Sequence, residues 1–294
     1  MADGALRVLA PAKINLHLAV GGIRPDGYHD VVTVLHALAF GDTVTIRPAT
    51  RFAFVCDGMP DLSPEDNLAW RAAHQMAARL GRRLDVAIAV DKRIPAGGGL
   101  GGASADAAAV ITGLAAMWGL PAHSAETVAI ARELGADVPF FLTGGCALFS
   151  GRGDVLERGL RALEAPIVLV KPTPPVHTAE AYRMFDALPP APTRPADAIL
   201  AALEAGDAQR VAAGLFNNLT GAAVSLVPDV GKVIDDLRRS PGVAGAAVAG
   251  SGSTVFGVCV DASAAERVMR AARDNGLWAA ATSTVAHGCL IEPL

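Results

Sequence analysis

Cysteine is scarce and scattered in this chain. Cys56, Cys146, Cys259 and Cys289 are its four, far apart and without a C-x-x-C pair, so neither a zinc site nor a disulfide framework is indicated. That usage fits a reduced, cytoplasmic compartment. Charge is sparse too. Charged residues make up 18% and the formal net charge is -4, which offers no general attraction to nucleic acid or anionic lipid. Two short basic groups, Arg79 with Arg82 and Arg83, and Arg238 with Arg239, follow helical stretches and read as solvated helix ends. Met1-Ala2-Asp3-Gly4 opens neither a secretory h-region nor a basic, Ser-rich transit segment, so no export is expected. The long uncharged run from Val243 to Val260 is broken at its centre by Gly250-Ser251-Gly252-Ser253-Thr254. It reads as strand, loop and strand rather than as a membrane helix.

What is abundant is apolar. Such residues are 52% of 294, enough for a substantial core and more chain than a single domain usually holds. Two domains sharing a cleft are expected, with the boundary near 158–165, giving 1–160 and 161–294. In the first half, apolar and polar side chains alternate around Leu16, Leu18 and Val20 and then turn at Arg24-Pro25-Asp26-Gly27, which predicts a hairpin. Strands are expected at Thr43 to Ile46, Phe52 to Cys56 and Leu84 to Val90, with an amphipathic helix over Asn67 to Leu80. A buried helix over Ala107 to Trp118 and another over Ala125 to Leu134 follow, the latter closed by a left-handed cap at Gly135. The second half reads as α+β. Strands are expected at Ile167 to Val170, 243–248, 254–260 and near 287–292, and helices near 177–187, 196–205, 228–239 and 263–275.

The most unusual stretch is Pro95-Ala96-Gly97-Gly98-Gly99-Leu100-Gly101-Gly102-Ala103-Ser104, leading straight into a helix. Five glycines strip the β-carbons from a turn whose backbone N–H groups, backed by the positive end of the helix, can cradle a phosphate. Gly97, Gly99 and Gly102 formally satisfy the G-x-G-x-x-G of a dinucleotide fold. A second helix follows where that fold needs a parallel strand with an acidic residue, so a Rossmann oxidoreductase is disfavoured. Walker A is excluded because Gly101-Gly102-Ala103 carries no lysine and Gly231-Lys232 is followed by valine. The V-A-I-K, H-R-D and D-F-G sequence of protein kinases does not occur.

The loop resembles the phosphate-binding motif of the GHMP kinase superfamily. Ala10-Pro11-Ala12-Lys13-Ile14-Asn15-Leu16, Arg24-Pro25-Asp26-Gly27-Tyr28-His29 and Leu134-Gly135-Ala136-Asp137-Val138-Pro139 are similar to the branch that phosphorylates a CDP-linked methylerythritol. Gly250-Ser251-Gly252-Ser253 looks like the third superfamily motif. The resemblance implies a two-domain fold, an N-terminal ribosomal-protein-S5-like domain plus a C-terminal ferredoxin-like domain. It also implies ATP and Mg2+ as cofactors and a small-molecule CDP-linked substrate, with no nucleic-acid or membrane partner, in a monomer or weak homodimer. Kinases of the mevalonate or homoserine type and a nucleotide-binding pseudoenzyme are the competing readings.

Residue by residue, the resemblance makes Asp137 the general base and Lys13 its electrostatic neighbour, with Asn15, two positions along the strand, orienting the acceptor hydroxyl. Pro95 through Ser104 would hold the ATP phosphates, and Asn67 and Lys92 resemble adenine-side positions. Tyr28, His29 and Tyr182 would recognise cytosine by stacking and hydrogen bonding, and Gly250, Ser251 and Gly252 would help hold the substrate. No metal ligand is assigned. Asp106 departs from the family's usual asparagine and is odd beside a phosphate loop, because its charge would repel the ligand unless it binds magnesium or faces the helix.

Overall fold

In the computed structural model, which describes residues 4–58 and 63–293, the alternation of the N-terminal segment settles the architecture. The apolar positions Val8, Ala10, Ala12, Ile14, Leu16, Leu18 and Val20 are all buried, and so are the intervening Lys13, Asn15 and His17. An alternating strand ordinarily leaves one face wet. This one, β1 (Leu6–Ile23), is covered on both sides. Met1-Ala2-Asp3, read above for a leader, lies outside the described residues. The expected hairpin is present: β2 (His29–Pro48) returns antiparallel to β1 after the Arg24–Tyr28 turn, and the strand expected at Thr43 to Ile46 is its far end.

After the hairpin come β3 (Ala53–Cys56), α1 (Leu68–Leu80), β4 (Val86–Asp91), α2 (Gly102–Met117) and α3 (Ala125–Leu134). The short helix α4 (Val138–Thr143) and the hairpin of β5 (Cys146–Ser150) and β6 (Val155–Leu160) were not expected from the sequence. Two expectations are corrected here. Helix α2 starts at Gly102 rather than Ala107, so Ser104 and Asp106 belong to its first turns. Gly135 is no left-handed cap either: with φ 175° and ψ 156° its backbone is extended.

The second half contributes β7 (Pro166–Lys171), α5 (Thr178–Ala187) and α6 (Asp197–Ala205). Three short elements missed in the sequence follow, α7 (Ala208–Ala213), β8 (Phe216–Asn217) and α8 (Thr220–Leu226). Then come α9 (Asp229–Arg239), β9 (Val243–Val248), β10 (Val255–Cys259) and α10 (Ala262–Asp274). The chain ends with β11 (Trp278–Ser283), also missed, and β12 (Leu290–Pro293). The uncharged run is thus β9, a loop and β10. No helix of the described residues is long and apolar enough to cross a membrane.

The larger sheet runs β12-β1-β2-β4-β3, with β5 paired to β2, β6 to β5 and β8 to β1; the smaller runs β11-β7-β10-β9. Period-two alternation in β7 gives the smaller sheet two coats. Ile167 and Leu169 join Phe256 and Val258 against Ile14, Leu16, Val34 and Leu38 of the larger sheet. Val168 and Val170 turn the other way, onto Val230, Ile234 and Leu237 of α9 and Ala264 of α10. The larger sheet in turn packs on α2, whose residues from Ala105 to Ala115 are all buried. That continuous burial explains why the helix carries no charge beyond Asp106.

Helix α2 lies so close to the sheet that a β-carbon on Gly113 would come within 2.6 Å of Ile46 Cδ1 and 3.2 Å of Val8 Cγ2. The variant Gly113→Val should therefore lose about 1–3 kcal/mol by overpacking, read as a lowered denaturation midpoint. Unchanged stability would contradict this packing.

Candidate active site

Lys13 sits between two irregularities of β1, where the pairing with β2 shifts after Pro11 and again after Asn15. Only 4% of the residue is exposed, and a buried ammonium needs partners. It has two: Nζ donates to Asn15 Oδ1 at 2.9 Å and lies 3.6 Å from Asp137 Oδ2. The Asn15 amide donates onward to Thr33 Oγ1 at 2.9 Å, and that hydroxyl donates to the His17 carbonyl at 2.8 Å. Asn15 is thus fixed with its oxygen toward the lysine. Asp137 stands at the start of α4, its own side chain uncommitted as a cap and about one-third exposed. Lys13, Asn15 and Asp137, singled out in the sequence, are therefore in one place.

The glycine loop closes over this group. The Lys13 amide donates to the Leu100 carbonyl at 3.0 Å, tying the loop to β1. Gly97, Gly99 and Gly101 have φ of 61°, 72° and 75°, the left-handed region that glycine enters without penalty. Gly99 is the tightest point, since a β-carbon there would lie 1.9 Å from the Ala249 carbonyl oxygen; one on Gly101 would lie 3.0 Å from Lys13 Cγ. From the second half, the Ser253 and Thr254 amides reach the Gly97 and Gly98 carbonyls at 3.4 and 3.3 Å. A β-carbon on Gly250 would be 3.0 Å from Lys13 Nζ. Ser251, buried, has its hydroxyl 3.2 Å from Thr178 Oγ1. Gly101 from the first half and Gly250 from the second thus both lie against the Lys13 side chain.

Lys92 and Asp106 resolve into a buried ion triad. Lys92 Nζ is 2.5 Å from Asp42 Oδ2 and 2.6 Å from Asp106 Oδ2, while Asp42 Oδ1 accepts from the amides of Arg93 and Ile94. One cation thus joins β2, the segment entering the loop, and the first turns of α2. Asp106 faces into the helix packing, where burial, reinforced by Asp42 repulsion, outweighs the opposing Lys92 attraction and pushes its carboxyl up to about 7. The other carboxyl oxygen, Oδ1, has no protein partner among the described residues. Asn67 caps α1, accepting from the Ala69 amide at 2.9 Å.

Tyr28 is 55% exposed, with the Arg152 guanidinium 4.9 Å from its ring centroid. His29, the next residue, is only 7% exposed. Its Nε2 lies 2.8 Å from Asp186 Oδ1, and its ring is 5.2 Å from that of Tyr182. Tyr182 has its hydroxyl pushed up to about 12, by burial first and by the Asp137 charge second. The Asp137 carboxylate is therefore near enough to the aromatic group for its charge to act on Tyr182.

Sequence reasoning missed Asp42, Thr33, Asp186 and Asn217. Asn217 holds the second loop, its amide donating to the Val248 and Gly250 carbonyls at 2.9 and 2.8 Å, and Asn218 clamps both backbone groups of Val20 at 2.9 Å. The neighbouring asparagines Asn217 and Asn218 were the available signal, because buried amides commonly serve irregular backbone.

Residues 67–145 match the GHMP kinases N terminal domain and residues 199–276 the GHMP kinases C terminal domain. The chain is 42% identical over 269 residues to the 4-diphosphocytidyl-2-C-methyl-D-erythritol kinase of Rhodococcus jostii, covering 89% of this chain and 86% of that protein. It is 40% identical over 293 residues to that of Mycobacterium tuberculosis, covering 97% and 91%. A crystal structure of 4-(cytidine 5'-diphospho)-2C-methyl-D-erythritol kinase superposes with a TM-score of 0.80 at 36% identity, covering 95% of this chain and 98% of the other.

The triad has a pH signature. The folded-state carboxyl of Asp106 titrates near 7, above the unfolded value of about 4. Its contribution to stability is therefore whole below about pH 4 and lost as pH rises through 7. Asp106→Asn should flatten the fall of the urea midpoint between pH 5 and 8, and parallel wild-type and variant slopes would contradict the assignment.

Proposed function

The chain belongs to the GHMP kinase family, and on that footing we propose how its residues divide the ATP-dependent phosphorylation of the 2-hydroxyl of 4-diphosphocytidyl-2-C-methyl-D-erythritol, a step of the non-mevalonate isoprenoid route. The observation that carries this division is the Lys13 ammonium, lodged between Asn15 and Asp137 beneath the glycine loop. Asp137 accepts the proton of the acceptor hydroxyl as its oxygen bonds to the γ-phosphorus. The bond from that phosphorus to the β,γ-bridging oxygen breaks, and ADP leaves. Lys13 offsets the charge on the transferring group, and Asn15, held by Thr33, orients the hydroxyl.

Pro95 through Ser104 hold the ATP phosphates on backbone N–H groups at the start of α2. Asn67 and Lys92 stand on the nucleotide side as supports, Lys92 acting through the Asp42–Asp106 bridge on the loop it holds. Among the described residues no group of three or more His, Cys, Asp or Glu is arranged to hold a metal ion. Mg2+ would be carried mainly by the phosphates, as Mg2+ commonly is, and Asp137 and Ser104 would be the protein oxygens beside it. When bound, Mg2+ would neutralise phosphate charge.

Tyr28 offers its open face to cytosine, Tyr182 closes from the other side, and His29, oriented by Asp186, supplies the hydrogen bond. Gly250, Ser251 and Gly252 line the acceptor. The catalytic halves divide as 1–160 and 161–294 in a cytoplasmic monomer or weak homodimer.

An ADP-release assay across acceptors tests this. Turnover with the CDP-linked alcohol is expected, and with mevalonate or homoserine only traces. Turnover of either of the latter instead would overturn the acceptor assignment. Asp137→Asn should lower kcat by about 100-fold or more while the Kd for ADP stays within about threefold; near-wild-type kcat would remove Asp137 as base.

A further inference from the structure

Three lysines lie in the interior around the cleft, and two have carboxylates. Lys13 has Asp137, and Lys92 has Asp42 and Asp106. The third, Lys171, ends β7 behind the glycine loop and is 7% exposed. Its stem lies against Gly98, where a β-carbon would come 3.4 Å from Lys171 Cδ. No ion pair among the described residues includes it. Burial depresses its basicity, and no neighbouring charge acts for or against it. The stem is buried, but the ammonium keeps contact with solvent and is therefore open to an incoming anion.

A second group abuts the same glycine. Thr254 is wholly buried, its Oγ1 has no hydrogen-bond partner among the described residues, and a β-carbon on Gly98 would meet that oxygen at 2.6 Å. Buried hydroxyls are rarely left unpartnered. A cation and a hydroxyl, each short of a partner, thus flank the one glycine of the loop that is pressed between them.

We propose that Lys171 and Thr254 form an anion subsite at Gly98, taking a phosphoryl oxygen of one of the two phosphate-bearing ligands, ATP or the diphosphate of the CDP-linked acceptor. The ammonium supplies charge and the hydroxyl one donated hydrogen bond. Both residues come from the second half of the chain, so filling the subsite would draw the smaller sheet onto the phosphate loop. Which ligand fills it rests on the kinase reading above; that the subsite takes an anion does not.

The test is titration of wild type, Lys171→Met, Lys171→Arg and Thr254→Val with ADP and with CDP at low and raised salt, alongside thermal midpoints of the ligand-free proteins. Lys171→Met should weaken ADP, CDP or both by at least about tenfold and flatten the salt dependence of whichever is weakened. Loss of ADP affinity alone assigns the subsite to the nucleotide, and loss of CDP affinity alone to the acceptor. Lys171→Arg should recover part of the loss, and Thr254→Val should weaken the same ligand less. The ligand-free Lys171→Met protein should melt no lower than wild type, because a thioether replaces an unpaired ammonium, whereas a merely structural lysine would leave a less stable protein. Affinities for ADP and CDP both within twofold of wild type, or a lowered midpoint with equal loss of both ligands, would overturn the proposal. Wild-type inactivity on the CDP-linked alcohol would sink the kinase assignment instead, while these titrations would still decide the subsite.

Discussion

The contacts around the cleft centre on one lysine held inside the protein. Lys13 cannot be solvated where it lies, so the fold brings it an amide oxygen from its own strand and a carboxylate from the turn before α4. Removing either partner would leave only the other to offset the desolvation of a buried charge. The Asn15–Thr33–His17 chain then has a structural reason to exist, since the amide must present its oxygen rather than its nitrogen. The two irregularities of β1 that bracket Lys13 and Asn15 are the geometric means by which a strand of the larger sheet delivers polar side chains to a site.

The glycine loop is where the two halves meet. It is tied to β1 through the Lys13 amide, to the loop between β9 and β10 through Ser253 and Thr254, and to β2 through the Lys92 triad. Each tie reaches it from a different element. A loop whose left-handed glycines leave it conformationally costly is thereby held in one shape before any ligand arrives, which is what electrostatic stabilisation of a transferring phosphoryl group requires.

Much of this was legible in the sequence because it depends on local chemistry. The hairpin at Arg24-Pro25-Asp26-Gly27, the uncharged buried helix and the glycine-serine break between β9 and β10 each follow from a few adjacent residues. That a lysine in an apolar strand needs an anionic partner was legible from its neighbours, whereas the choice of Asp137 as that partner came from the resemblance. What was not legible depends on distant contacts. Asp42 becomes a cap for Arg93 and Ile94 only once β2 and β4 pair, and His29 is buried only because α5 brings Asp186 and Tyr182 over it. The elements β8 and α8 are short and take their shape from Asn217 and Asn218 rather than from periodicity. Asp106, odd beside a phosphate loop in the sequence, is accommodated by burial in α2 and by the Lys92 bridge to Asp42.

That Lys13 and Asp137 act as one unit is most directly tested by a double-mutant cycle on kcat with Lys13→Met, Asp137→Asn and the two combined. If each residue works through the other, the double variant should be about as slow as the slower single one, because the second substitution removes something already lost. A double variant whose loss equals the product of the two single losses would mean that the residues act independently, and would contradict the account built on their contact.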